Sequence, residues 1–147
     1  METLKMAALY CLHTTTLRKN HMEYNLFIED YFSQKQIHAV LYGEIDEKSR
    51  DEIIVEGLKL MRNENITNLL CDIREASVLY SLIGSHAIIE QINLYGFQNT
   101  DHAAIIYTHN ETQHIHADNV AFNKGLNIKY FKDNIEEARE WLLQFDK

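Results

Sequence analysis

Cysteine is scarce in this sequence, which contains Cys11 and Cys71, sixty positions apart. This scarcity excludes a disulfide framework, and the lack of a Cys-x-x-Cys pair argues against a structural zinc site. Cys71 lies in a short apolar run, where a thiol behaves as a small buried hydrophobe. Proline is absent altogether, against an average usage of about 5%, and we attach no function to that absence.

Basic residues and long hydrophobic runs are also lacking. The chain has 14 Lys and Arg against 22 Asp and Glu, a formal charge of −8, which repels nucleic-acid phosphates and anionic lipid headgroups. The longest apolar run near the start, residues 6–12, is far shorter than a membrane-spanning helix. It also lacks the features of a signal peptide. We therefore expect a cytoplasmic protein with no nucleic-acid partner and no integral membrane segment.

Catalytic motifs are missing as well. There is no Gly-x-Ser-x-Gly elbow and no glycine-rich phosphate loop, because the five glycines are scattered singly. Acid pairs such as Glu29–Asp30 are neighbours in the sequence, which does not place two carboxylates across a substrate. The sequence therefore predicts neither an enzyme nor a cofactor.

The 147 residues are enough for one domain with a single core. Residues 1–22 carry Lys5, Arg18 and Lys19 against Glu2, a net charge of +2, which leaves −10 for the rest. This change of charge predicts a boundary, with a flexible leader at 1–22 and a domain at 23–147.

From Tyr24 onward, strand patterns alternate with helix patterns. Two adjacent strand-like segments joined by a polar break predict an antiparallel hairpin, and four amphipathic helices follow in alternation with three apolar strands. The central strand is the buried run within residues 65–75. The order ββαβαβαβα predicts an α/β fold with a mixed sheet of about five strands, the N-terminal hairpin being antiparallel and the later strands parallel, with four helices.

This pattern resembles the SpoIIAA-like proteins, small bacterial relatives of the STAS domain, which is the fold of anti-sigma-factor antagonists. The resemblance covers residues 24–146. It is carried by four segments: Gly43-Glu44-Ile45-Asp46, Leu70-Cys71-Asp72-Ile73-Arg74, residues 123–131, and the Glu136-Glu137-Ala138 to Trp141-Leu142 helix. It implies a non-catalytic regulatory or binding role, in which a protein partner or a small ligand is engaged.

The candidate site lies where the central strand ends and the next helix begins, because ligands bind at this edge of open α/β sheets. Two charged residues at the strand end could receive an anionic ligand or a polar group of a partner. The alternative is that Arg74 pairs with Asp72 or Glu75 and only fixes the loop. The predicted binding residues are Asp72, Arg74, Ser77, Tyr80, Ser81 and Ser85.

The resemblance also implies a serine phosphorylation switch at the start of that helix, where a phosphate would meet free backbone amides. In the antagonists this serine lies in an Asp-Ser-Ser-Gly turn, whereas this chain has Tyr80-Ser81-Leu82-Ile83-Gly84. The aspartate and the second serine are missing, so Ser77, Ser81 and Ser85 are alternatively ordinary caps and turn residues.

Two other functions stay open. The wider fold has been linked to lipophilic ligands, and a carrier cavity could be lined by Tyr80, Leu82, Ile83 and Ile89, although such residues more often form core. A metal-dependent hydrolase could use His109, His114 and His116. On a helix, however, His114 and His116 point about 200° apart, which disfavours a shared metal. The sequence also leaves open whether the chain forms a homodimer.

Overall fold

A computed structural model of the protein describes residues 9–19 and 22–145. Within these residues it has six strands, four α-helices and one short 3-10 helix. The strands are β1 (Leu9–Lys19), β2 (Met22–Tyr31), β3 (Gln34–Ile45), β4 (Asn68–Val78), β5 (His102–Tyr107) and β6 (Ile128–Lys132). The helices are α1 (Glu47–Glu64), α2 (Leu82–Glu90), α3 (Glu111–Asn123) and α4 (Ile135–Leu143), with the 3-10 helix at Ile92–Tyr95.

The strands form one mixed sheet in the order in which they occur along the chain. Strands β1, β2 and β3 are antiparallel neighbours, whereas β3, β4, β5 and β6 run parallel, each pair joined by a helix. From β2 onward the order is ββαβαβαβα, so the predicted fold class is confirmed. No helix among the described residues is long and apolar enough to cross a membrane.

Part of the expected leader at 1–22 lies among the described residues. Residues 1–8, 20 and 21 lie outside the described residues, but Leu9–Lys19 form β1 and pair with β2. Two physical features explain this strand. The run Thr14–Thr16 is β-branched and suits a sheet, and β1 provides hydrogen-bond partners for what would otherwise be the exposed edge of β2.

Helices cover the two faces of the sheet unequally. Helices α1, α2 and α3 cover one side, which we call the helical face, and contribute to the larger core cluster. Helix α4 covers the opposite face, where Ala138 and Leu142 pack on Leu70, Ala104 and Ile106. Side chains of each strand alternate between these two faces.

Strand β4 contains a β-bulge close to the predicted site. Val40 pairs with Asp72 and Tyr42 pairs with Glu75. Two residues of β4, Ile73 and Arg74, therefore oppose one residue of β3, Leu41. Beyond Asp72 the strand is paired only with β3, because its ladder with β5 ends there. The second half of β4, residues 73–78, therefore projects past β5 at the edge where the sequence placed the site.

Candidate functional site

Asp72 and Arg74 bond to each other. Two charge-assisted hydrogen bonds join the guanidinium to the carboxylate, at 2.9 Å from Nε and 2.7 Å from Nη2, and the Arg74 amide donates a third at 3.1 Å. Burial alone raises the pKa of Asp72, but the bonds from Arg74 outweigh it and hold that pKa below its usual range. The structural pairing that the sequence left open is therefore formed within the chain.

The sheet separates Tyr80 from this pair. Asp72 follows Leu70 by two residues and so lies on the opposite face with α4, whereas Tyr80 lies on the helical face. Ser77 is half-buried within β4, beside Glu44 of β3, and not in a strand-to-helix turn. The sheet thus divides the predicted site into two groups.

The three hydroxyls near α2 have different environments. Ser81 is exposed and caps α2, where its Oγ accepts a hydrogen bond from the Gly84 amide at 3.2 Å. Ser85 is one turn further along and is buried, with no hydrogen-bond partner for its Oγ. Among Ser77, Ser81 and Ser85, Ser81 alone has both an exposed side chain and a position at a helix start.

Helices α1 and α3 hold Tyr80 in place. The Arg50 guanidinium of α1 stacks over the Tyr80 ring at 4.6 Å, and the Gln113 amide of α3 donates to the Tyr80 carbonyl. Arg50 also donates to the Gly84 carbonyl at 3.3 Å. A Cβ at Gly84 would lie 2.6 Å from a carboxylate oxygen of α1, so glycine allows the two helices to approach.

The clustered histidines diverge. His109 is exposed, His114 is buried against Tyr107 and Tyr130, and His116 turns toward His86 of α2, with ring nitrogens 3.3 Å apart. Within the described part of the chain, no group of three or more His, Cys, Asp or Glu side chains could hold a metal ion. The geometry does not favour the three-histidine metal site.

A cavity of about 150 Å³ lies between the helical face of the sheet and the helices that cover it. Leu69 and Cys71 of β4 and Ile105 of β5 line it from the sheet, and Ile53 and Ile89 line it from α1 and α2. The three strand residues are only half-buried although helices lie above them, because they face this space. Of the four residues expected to line a cavity, Tyr80 and Ile89 do so, whereas Leu82 and Ile83 are exposed.

The polar groups of the cavity wall form one cluster, which we call the polar cluster and which consists of Arg50, Cys71, Tyr80, His114 and Tyr130. Burial raises the pKa of the Cys71 thiol and of the Tyr80 hydroxyl to about 12, and it also raises the pKa of Tyr130. Burial lowers the pKa of His114 to about 4. At neutral pH these four groups are uncharged, and Arg50 is the one charged member.

Sequence reasoning missed most of this wall. Tyr130 appeared only within residues 123–131, which carry the family resemblance, and Cys71 only as a buried hydrophobe. A usable signal was present for Cys71, because Leu69 and Ile73, which flank it on the same face of β4, are aliphatic. Polar atoms inside such apolar runs need a partner or a cavity.

The order of elements, the mixed sheet and the placement of helices define a SpoIIAA-like fold. A crystal structure of an uncharacterised protein of the DUF3478 family with a SpoIIAA-like fold, from Shewanella loihica PV-4, is similar. It has a TM-score of 0.54 and 18% identity, and the match covers 86% of this chain and 98% of that one. The resemblance drawn from the sequence is therefore confirmed at the level of the fold.

A second similar structure is an anti-sigma factor antagonist from Mycobacterium paratuberculosis. It has a TM-score of 0.51 and 12% identity, with 82% of this chain and 94% of that chain covered. No protein-family model and no curated protein matches the sequence. At such identities the likeness establishes the fold, and function has to be argued from the site.

Proposed function

We propose that the protein is a non-catalytic binding module that holds a small lipophilic molecule in the cavity beneath α1, α2 and α3. The observation that carries this proposal is the cavity itself. Protein interiors are close-packed, and few voids exceed a water molecule. Side chains around a space of about 150 Å³ lack packing partners on that side, which costs stability through lost dispersion contacts. A bound apolar molecule would offset that cost.

The wall matches such a ligand. Leu, Ile, Ala and Phe side chains form most of it, and these residues bury apolar surface without needing hydrogen bonds. Apolar cavities of about this volume bind benzene-sized molecules. The ligand is therefore of the size of one ring, unless helices α1 and α2 separate to admit more.

Toluene tests the proposal directly. We expect the wild-type protein to bind toluene in calorimetric titration, and Ala103→Leu, which fills the cavity, to weaken binding at least about tenfold. Ala87→Leu is the matched control, because Ala87 is half-buried on α2 outside the cavity wall. Wild-type protein that binds no toluene, and from which organic solvent extracts no stoichiometric compound, would contradict the proposal.

A second candidate function is the docking of a protein partner at the end of β4 and the start of α2. The exposed apolar side chains there favour it: Leu79 is 59% exposed, Leu82 41% and Ile83 81%. Ser81 lies exposed among them, so a phosphate on Ser81 would change the charge of this surface. The half-buried Asp72–Arg74 pair belongs to the same edge of the sheet.

Two exposed residues allow a matched test of docking. Ile83 and Phe122 are each 81% exposed, but Phe122 lies at the far end of α3. We expect Ile83→Glu and Ser81→Asp to lose a partner that co-purifies from the native host, and Phe122→Glu to keep it. Equal recovery with all three variants would remove this region as the docking surface.

A further inference from the structure

We infer that the ligand is an uncharged ring-sized molecule with one hydroxyl or carbonyl oxygen, held by hydrogen bonds from Tyr130 and His114. This inference rests on the proposed function, since it names the ligand class for the same cavity. It is carried by two polar residues of the cavity wall, the half-buried Tyr130 and the buried His114, whose side chains make no hydrogen bond to a described residue.

Tyr130 is the first of these groups. It lies on β6 and is half-buried, and its ring lines the cavity together with Tyr80, Cys71 and Arg50. The structure shows no hydrogen bond from its hydroxyl to any described residue. A tyrosine hydroxyl enclosed by protein normally finds a partner, so this one has a donor available for a bound molecule.

His114 is the second group. It is only 5% exposed, and its ring stacks on Tyr130 at 5.4 Å and packs against Tyr107 at 4.8 Å. Neither ring nitrogen makes a hydrogen bond to a residue that the structure describes. Its low pKa leaves the imidazole neutral at pH 7, with one nitrogen donating and the other accepting. Tyr130 and His114 together offer a short row of hydrogen-bonding groups on one wall.

The charge of Arg50 explains why the ligand is uncharged. Its Nε and Nη2 contact Asp51 at 3.0 and 2.9 Å, and its Nη1 donates to the Gly84 carbonyl. Arg50 is thus compensated within the chain, and the other members of the polar cluster are neutral. A carboxylate or ammonium group in the cavity would lack a free counter-charge, and an unpaired buried charge is strongly disfavoured.

Three probes of similar size separate the alternatives: toluene, phenol and benzoate. A purely apolar cavity rejects phenol, because the hydroxyl gives up its hydrogen bond to water and gains none. We expect wild-type protein to bind toluene and phenol but not benzoate. In Tyr130→Phe and His114→Phe, phenol affinity should fall at least about tenfold, while toluene affinity stays within about threefold. Both affinities can be measured by calorimetry or by the NMR shifts of the isoleucine methyl groups that line the cavity.

Tyr107→Phe is the matched control, because it also removes a tyrosine hydroxyl from a ring that packs against His114 but lies outside the cavity wall. It should change neither affinity. If wild-type protein binds neither toluene nor phenol, the proposed function itself is contradicted. Three outcomes overturn the ligand class but leave the proposed cavity function intact. Wild-type protein binds toluene but not phenol, the variants lose affinity for toluene and phenol equally, or benzoate binds more tightly than phenol.

Discussion

The two faces of the sheet are filled in opposite ways. On the opposite face, Leu70, Ala104, Ile106 and Leu142 are fully buried and form one core cluster. On the helical face, half-buried strand residues line an open space. The difference places a fully buried cluster on one side of the sheet and a cavity on the other.

Charge follows the same division. On the opposite face, Glu29 is 1% exposed and contacts Arg139 at 2.5 Å, His38 at 3.0 Å and Gln36 at 3.1 Å. Burial raises the pKa of Glu29, but contacts with His38, Arg139 and Gln36 outweigh it and lower that pKa. A charged group is kept there because its partners are in place. The polar groups of the cavity wall are instead mainly neutral.

Replacing Arg139 is the test of the opposite face with the largest expected effect. Arg139→Met leaves the buried Glu29 carboxylate without its cationic partner, so we expect a loss of about 3 kcal/mol or more in the free energy of unfolding by urea. Arg74→Met removes the partner of the half-buried Asp72 and should cost about 1 kcal/mol. Equal losses in the two variants would contradict the difference between a buried and a half-buried ion pair.

Two neighbouring alanines on β5 compare the faces at the smallest scale. Ala104 packs on the opposite face, whereas Ala103 lines the cavity. Ala104→Val should lower the free energy of unfolding by about 1–3 kcal/mol because the added methyl groups meet close-packed neighbours. Ala103→Val should leave stability unchanged or raise it by up to about 1 kcal/mol. A larger loss at Ala103 would indicate that the cavity is already occupied by side chains.

Acid pH sharpens the comparison of charge. The pKa values of Glu29 and Asp72 are lower in the folded protein than their ordinary values. Both groups therefore stabilise the fold above their unfolded pKa values, and this contribution is lost as pH falls through the folded ones. We expect urea midpoints to drop below about pH 4.5, and Asp72→Asn to flatten part of this drop. An unchanged slope in that variant would contradict the shift at Asp72.

The smallest expected effect concerns the cap of α2. Ser81→Ala removes the hydroxyl that accepts from the Gly84 amide and should cost about 1 kcal/mol in unfolding free energy, without changing toluene binding. Ser81→Asp keeps an acceptor and places a negative charge at the helix start, so it should retain stability. If Ser81→Asp were as unstable as Ser81→Ala, the capping role would be rejected.

The fold could be predicted from the sequence because its signals are local. Apolar residues that repeat every two positions in strands and every three to four in helices predicted the order of elements from β2 to α4. The angle between His114 and His116 on a helix argued against a shared metal. Strand β1 was harder, since a threonine run becomes a strand only when a partner edge is present. The sequence placed Ser77 in a turn because nothing in residues 73–78 shows that β4 continues past the end of β5.

The candidate site was predicted less well because it depends on distant contacts. The apolar residues that line the cavity have the same spacing as core residues, and a void is set by how α1, α2 and α3 pack together. Tyr80 was recognised through its place at a strand end, whereas Tyr130 was not. The Asp72–Arg74 pair was anticipated as one alternative, since residues two apart in a strand share a face.

The bulge at Ile73 and Arg74 shifts by one residue the alternation of β4 side chains between the two faces of the sheet. Before it, odd-numbered residues such as Cys71 face the helices; after it, Glu75 aligns with Tyr42 away from them and Ala76 enters the core. If the bulge closed with every residue kept, strict alternation would turn the Glu75 carboxylate toward the apolar interior and Ala76 away from it. The single extra residue in β4 therefore determines that Ala76, and not Glu75, faces the helices.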